Sequence, residues 1–266
     1  MATDVYTHGH HASVLRSHSR RTAENSASFL LPHLRPGQRL LDVGCGPGTI
    51  ATGLAERVAP GDVIAIDIVP DVLEQARQHA AERGTRVSFE AGDVYSLRFD
   101  DDAFDVVHAH QVLQHLTDPV AALREMRRVT RPGGLVAVRD GDYGAMTWHP
   151  ASTGLDRWSE VYHRVTAANG AQADAGRRLL SWAIDAGFER VTPSAAVWCF
   201  ATPEDREWWA GTWSERVVHS GFAEQAERYG LATRRDLESM RVAWREWGGA
   251  PDAWFAVVHG ELLATA

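Results

Sequence analysis

Three aspartates mark the first third of the chain, each in or just past a short apolar run: Asp42 in Leu40-Leu41-Asp42-Val43, Asp67 after Val63-Ile64-Ala65-Ile66, and Asp93 after Val87 to Gly92. A carboxylate accepts hydrogen bonds from vicinal hydroxyls and attracts an ammonium or other cationic group. Between the first two acids lies Gly44-Cys45-Gly46-Pro47-Gly48. Three glycines in such a turn permit positive φ and let a ligand approach the backbone with no Cβ in the way.

The spacing narrows the ligand. A dinucleotide fingerprint wants a third small residue three positions after the second glycine, where this chain has Thr49, and Pro47 removes an N–H that a pyrophosphate would use. Asp42, two residues before the first glycine, is awkward beside a diphosphate and suited to an ammonium or sulfonium. Asp67 stands roughly 20 residues past the turn, where a ribose-binding carboxylate belongs. Asp93 and the Val94 backbone N–H can together read the amino edge of an adenine. The plainer alternative makes Asp42 and Asp93 helix caps or turn acceptors, but acids at three successive strand ends argue against it.

These residues need a frame of alternating strands and helices. Apolar strands precede the glycine turn and Asp67, and a third runs from Val87 to Ala91. Thr49 to Val58 places Ile50, Leu54 and Val58 on one helical face. Pro70 opens a helix carrying Val72, Leu73, Ala76 and Ala80, and Gly84 closes it. Further on, the pattern predicts a fifth strand at Leu135 to Arg139, helices at 155–168 and 176–186, and a sixth strand within 188–201. Helices at 204–218, 223–229 and 234–247 follow, and a last strand at 253–260 would close the sheet as an antiparallel seventh.

The ordered set LLDVGCGPGT at 40–49, AID at 65–67, GDV at 92–94, FDVVHAHQVLQHLTDP at 104–119 and LREMRRVTRPGGLVAV at 123–138 resembles the class I S-adenosylmethionine-dependent methyltransferases, in particular the ubiquinone/menaquinone-biosynthesis type. The resemblance spans roughly Arg39 to Asp142, under half the chain. It implies an α/β, Rossmann-like, seven-stranded and mostly parallel sheet with an antiparallel last strand, helices on both faces and helical lid insertions. The implied cofactor is S-adenosyl-L-methionine, with S-adenosyl-L-homocysteine as product. By the resemblance, Asp42 with Gly44, Cys45, Gly46 and Gly48 would hold the methionine moiety, Asp67 and Ile68 the ribose, and Gly92, Asp93 and Val94 the adenine. His110 and Gln111 would lie near the sulfonium. A leading helical segment over 1–36 would cover the cofactor, with Tyr6 and Arg21 reaching its carboxylate. Its plainer alternative is a solvated amphipathic helix docked by Val14, Leu15, Phe29 and Leu30. His8, His10 and His11 lack companion acids or cysteines at ligand spacing, so no metal is expected.

The length of 266 residues suits one α/β domain with insertions: a core over 37–145, 174–202 and 251–266, and a helical cap over 146–173 and 203–250. The net charge is −8 and every basic residue is arginine, with no basic stripe, which argues against nucleic acid as substrate. With two cysteines and no long apolar run, the expectation is a cytoplasmic protein without a disulfide framework or membrane partner. All ten tryptophans fall between Trp148 and Trp254, in the part expected to cover the crevice at the strand ends. Tyr143, Met146 and Trp148 follow the fifth strand and are pocket candidates, as are Trp209 and Trp213, although ordinary core packing explains any single tryptophan as well. Exposed lid aromatics would favour a homodimer.

A sulfonium is already a good leaving group, so the protein must chiefly align a nucleophile and exclude water. A protonated acceptor would need a base. His115 in Gln-His-Leu is the candidate, oriented by Asp140 or Asp142; the alternatives are a helix cap for His115 and a core role for His108. The expected activity is methyl transfer by in-line displacement to a small apolar or aromatic acceptor at oxygen, nitrogen or carbon. A non-methylating reaction that uses the bound sulfonium, or cofactor binding without turnover, remain the other readings.

Overall fold

The computed structural model describes residues 4–7 and 20–266. Its strands are β1 (Leu40–Val43), β2 (Val63–Asp67), β3 (Ser88–Ala91), β4 (Phe104–His110), β5 (Thr130–His149), β6 (Arg190–Phe200) and β7 (Trp254–Thr265). They form one sheet in the order β3-β2-β1-β4-β5-β7-β6. Pairs from β3 through β5 are parallel, while β7 runs antiparallel between β5 and β6. The order reverses between β1 and β4, so the crevice for a ligand opens at the carboxyl ends of those strands. This is the Rossmann-like, mostly parallel sheet with an antiparallel last strand that the sequence implies.

The described helices are α1 (Ala23–Ser26), α2 (Thr49–Val58), α3 (Pro70–Glu82), α4 (Pro119–Val129), α5 (Thr153–Ala168), α6 (Leu179–Asp185), α7 (Pro203–His219), α8 (Gly221–Arg228) and α9 (Arg234–Gly249). Helix α2 has the bounds its apolar spacing predicts, because Gly48 enters the left-handed region at φ 76° and turns β1 into the helix. Helix α4 was not singled out from periodicity. Asp118 caps it through the Ala121 N–H and Pro119 occupies its first turn.

Strand β5 runs 20 residues where five were expected. Its pairing with β7 continues past a register shift between Asp142 and Thr147, so Trp148 and His149 still pair with Phe255 and Trp254. The helix expected over 176–186 starts as a 3₁₀ turn at Gly176–Arg178. There the backbone is so close to β7 that a Cβ on Gly176 would lie 2.8 Å from the Gly260 nitrogen. Of the leading segment expected over 1–36, only α1 and a 3₁₀ turn at Leu31–His33 are helical among the described residues. Residues 8–19, with His8, His10, His11, Val14 and Leu15, lie outside them.

Helices α5, α7, α8 and α9 enclose a separate aromatic core. Trp158, Trp213 and Trp244 are fully buried and meet one another, with Trp213 stacked on Trp244 at 5.7 Å and Trp158 edge-on to Trp213 at 4.5 Å. Such ring pairs add about 0.5–1.5 kcal/mol each beyond area burial. The tryptophans therefore close mostly on each other. Only Trp254 is a well exposed tryptophan, at 40%, so the expected patch of exposed lid aromatics is not present among the described residues. No described helix is long and apolar enough to cross a membrane.

Candidate active site

One cavity of about 710 Å³ opens where the strand order reverses. Its lower wall comes from the ends of β1, β2, β3 and β4: Val43 through Pro47, Ile66 through Val69, Gly92 through Tyr95, and His110 through Val112. Its upper wall comes from Tyr143 and Met146 on β5, Trp198 on β6, Val257 on β7, and Trp208, Trp209 and Arg216 on α7. Asp4, Tyr6 and Arg21 close one side.

The glycine turn is shaped by what a side chain would strike. Gly44 has φ 69°, and a Cβ there would fall 2.4 Å from Val112 Cγ2. Gly44→Ala is therefore expected to lose roughly 2–4 kcal/mol of stability, combining left-handed strain with overpacking. Thermal unfolding checks this; Val112→Ala added to it should recover only the overpacking part. Gly48 does not line the cavity: it packs against Ala76 and Phe89 and starts α2.

Asp67 joins two parts of the lower wall. Its Oδ2 accepts from the Gly46 N–H at 2.9 Å and its Oδ1 from the Val69 N–H at 3.0 Å. A carboxylate at the end of β2, facing the cavity, suits a vicinal diol. Next to it, Ile68 lies 66% exposed at the rim, with buried Val94 and Leu116 also in the wall, an apolar slot for a flat base. Asp93 accepts from the Tyr95 N–H at 2.9 Å, the turn contact noted as its plainer role, and also faces the cavity. Glycine cradle, diol acceptor and apolar slot together fit a nucleoside with an aminoacyl tail.

Asp42 is one layer beneath this wall. It pairs across the sheet with His108, and its carboxylate meets His108 Nδ1 at 2.7 Å with both residues buried. Arg21 reaches the cavity and donates to Gln111 Oε1 at 2.6 Å. That orients the Gln111 amide, whose NH₂ donates to His259 Nε2 at 2.9 Å. Gln111 adopts φ 54°, a left-handed conformation held at the wall of the site. His110 is buried with both ring nitrogens unpartnered among the described residues, and burial followed by the charges of Arg21 and Arg139 pushes its pKa well below 6.5.

Tyr6 stands edge-on to His115, ring centres 4.7 Å apart. Burial raises its phenol to about 12 despite the nearby guanidiniums of Arg21 and Arg216. His115 lines the cavity, and Gln114 fixes its tautomer. The Gln114 carbonyl accepts from the Gly141 N–H at 3.0 Å, so its NH₂ donates to His115 Nε2 at 3.0 Å and the ring proton belongs on Nδ1. Burial, then Arg21 and Arg216, lower the His115 pKa to about 3.

Neither acid proposed to orient His115 lines the cavity. Asp140 accepts from the Gln114 N–H at 3.0 Å, and burial raises its pKa to about 7. Asp142 is bound by the Arg177 backbone and guanidinium and by the Ala145 N–H, fastening the β5 irregularity to the 3₁₀ turn. Of the pocket candidates, Tyr143, Met146 and Trp209 line the cavity. Trp148 instead stacks on Phe255 at 5.5 Å, and Trp213 stands behind Trp209 at 5.9 Å. Trp208, at i, i+1 and i+5 with Trp209 and Trp213, also lines the cavity, as do Arg216, Trp198 and Tyr95, which the sequence does not single out. Arg216 had one available signal: with Trp209 and Trp213 it follows i, i+4 and i+7 on one helical face.

Known proteins identify the family. A family model described as a methyltransferase domain matches residues 34–195. The chain is 34% identical to an uncharacterized methyltransferase of Schizosaccharomyces pombe, over 97% of this chain and 95% of that one. It is 30% identical to the probable methyltransferase ltbC of Aspergillus luteorubrus, over 98% and 97% of the two chains. Among solved structures, the (4+2)-cyclase SpnF superposes with a TM-score of 0.52 at 25% identity, covering 97% of this chain and 87% of that one. The chain belongs to the methyltransferase domain family and is a class I S-adenosylmethionine-dependent methyltransferase.

Proposed function

We propose that this enzyme methylates a small acceptor with an aromatic or apolar body, held beneath the α7 lid. The observation that carries this reading is the continuity of the cavity. Residues suited to the cofactor, from Gly44 to Asp93, and the aromatic side chains Tyr143, Trp208 and Trp209 line one space. The quinone-biosynthesis resemblance is confined to the cofactor half and says nothing of the acceptor. In this reading 37–145, 174–202 and 251–266 form the core, and 146–173 and 203–250 the cap.

The bound cofactor supplies an electrophilic methyl carbon. The chain's part is to hold it and to keep water out. Asp67 accepts from the ribose hydroxyls, Asp93 and Val94 meet the adenine, the glycine turn receives the methionine moiety, and Arg21 with Tyr6 turns toward its carboxylate. Gln111, clamped between Arg21 and His259, sets the floor beside the reacting atoms. Fixing an acceptor in line within such a dry site supplies much of the rate.

A base at His115 would have to leave Gln114 and act from a pKa near 3, far from the operating pH. We therefore assign His115 to shaping the cavity against Tyr6, and loss of the proton to the acceptor's own acidity. The pH–rate profile should show no inflection near 6.5. An inflection there that disappears in His115→Gln would restore the histidine as base.

The decisive test is incubation of the enzyme with a cell extract and methyl-labelled S-adenosylmethionine. A labelled small molecule, absent without enzyme, is the expected result. Similarity to a cyclase favours one second reading, a reaction in which the cofactor is bound but not consumed. Product formation with no label and no S-adenosylhomocysteine would establish it instead.

A further inference from the structure

We infer that His259 is a positioning residue for the cofactor, acting through Gln111 on the Arg21 guanidinium from outside the cavity. This rests on Arg21 turning toward the methionine carboxylate, as proposed above. His259 stands on β7 opposite Gly141 of β5, fully buried and not part of the cavity wall. Its Nε2 lies 2.9 Å from Gln111 Nε2, and the oxygen of the same amide accepts from Arg21 at 2.6 Å. A guanidinium only donates, so it holds the Gln111 oxygen and turns the NH₂ toward His259. The ring nitrogen there must then accept, which requires a neutral imidazole with its proton on Nδ1. Burial, then the charges of Arg139 and Arg21, keep His259 in that neutral form.

The relay has a fixed base. Trp198 stands edge-on to the His259 ring at 4.3 Å and His110 stacks at 6.2 Å, which limits turning of the imidazole. The same Trp198 donates through Nε1 to the Asn25 carbonyl at 2.9 Å, tying α1, the helix that follows Arg21, to β6. Arg21 is thus held twice to the β6–β7 side of the sheet, by its helix through Trp198 and by its side chain through Gln111 and His259. The Gln111 backbone is pinned separately, its N–H donating to the Arg139 carbonyl at 2.7 Å, so what His259 adds is the direction of the side chain. One donor spent on Gln111 fixes the plane of the guanidinium, and its five donors are not exhausted by that bond. Without an acceptor at His259 the Gln111 amide can rotate, and Arg21 loses a partner set in one orientation. The effect falls on the aminoacyl tail of the cofactor and spares the nucleoside.

The test is calorimetric binding of S-adenosylhomocysteine and of 5′-methylthioadenosine, the same nucleoside thioether without the aminoacyl tail. His259→Phe is expected to weaken S-adenosylhomocysteine roughly 3- to 10-fold, the range for one net hydrogen bond, and to leave methylthioadenosine within about twofold. His259→Gln, which carries an acceptor to about the reach of Nε2, should restore most of the loss. Arg21→Met should cost S-adenosylhomocysteine at least as much, and His259→Phe added to it should cost nothing further. Unchanged S-adenosylhomocysteine affinity in His259→Phe, an equal loss for both ligands, or a His259→Gln variant as weak as His259→Phe would each overturn the inference. If Arg21→Met binds S-adenosylhomocysteine as the wild type does, the carboxylate contact fails and the inference with it. If only His259→Phe is silent, the contact stands and the relay fails. Gln111→Asn tolerates the left-handed backbone but is too short to span both partners, so it should show the same selective loss even where His259→Phe folds poorly. No selective loss in Gln111→Asn would overturn the relay as well.

Discussion

Asp67→Ala is expected to weaken S-adenosylhomocysteine binding by on the order of 1–3 kcal/mol, about 5- to 150-fold, measured by calorimetry. The aspartate ends β2, where its two oxygens already accept from Gly46 and Val69 and fasten the glycine turn to the start of the next segment. Removing it costs the charged acceptor for the ribose hydroxyls and loosens the turn that receives the rest of the cofactor. Asp67→Asn separates these effects. One amide oxygen can still serve a backbone N–H, so the turn survives in part while the diol loses one acceptor, and affinity should fall between the two. Affinity unchanged in Asp67→Ala, with the variant folded, would mean the ribose is held elsewhere.

A second large effect is expected from acid. His110 and His259 are buried, and burial, ahead of the neighbouring arginines, holds both well below the usual histidine range; His115 is lowered to about 3. Below about pH 6.5 the unfolded chain takes up protons on these three that the native state refuses. Their contribution is therefore intact above that pH and is lost as the pH falls toward the folded values. Asp140 acts oppositely. Raised to about 7 by burial, it keeps a proton in the native state that the unfolded chain has released, so its contribution is largest below about pH 3.8 and is lost as the pH rises to 7. Three histidines against one aspartate give a net uptake of protons on unfolding, so stability falls as the pH drops below about 6.5. Denaturant titrations at successive pH values should show this fall. Asp140→Asn should steepen it and raise stability at pH 8. A midpoint that does not move between pH 5 and 7 would contradict the assignment of neutral buried histidines.

The parts of the molecule legible from sequence are those fixed by local chemistry. Helix α2 was readable because Ile50, Leu54 and Val58 recur at helical spacing and glycines precede them. Asp67 was readable as a cavity residue because a strand end, a turn and a carboxylate are all local features. What sequence did not reveal depends on partners far along the chain. Asp42 and Asp142 look alike as acids near strand ends, but His108 and Arg177 respectively occupy their carboxylates away from the cavity. The length of β5 depends on β7, more than 100 residues later. An arginine such as Arg216 reads as solvated surface until Trp213 and the cavity wall are seen around it. The concentration of tryptophans past Trp148 pointed to a lid, but which rings face the ligand and which face one another is set by how α5, α7 and α9 pack.

The central claim is that one cavity seats the cofactor on the strand ends with its reactive centre turned toward the lid. A crystal structure of the enzyme with S-adenosylhomocysteine tests it most directly. The ribose hydroxyls should lie within hydrogen-bond distance of Asp67 and the sulfur should face Tyr143 and Trp209. A nucleoside bound away from Asp67, or a sulfur facing away from the lid, would contradict it.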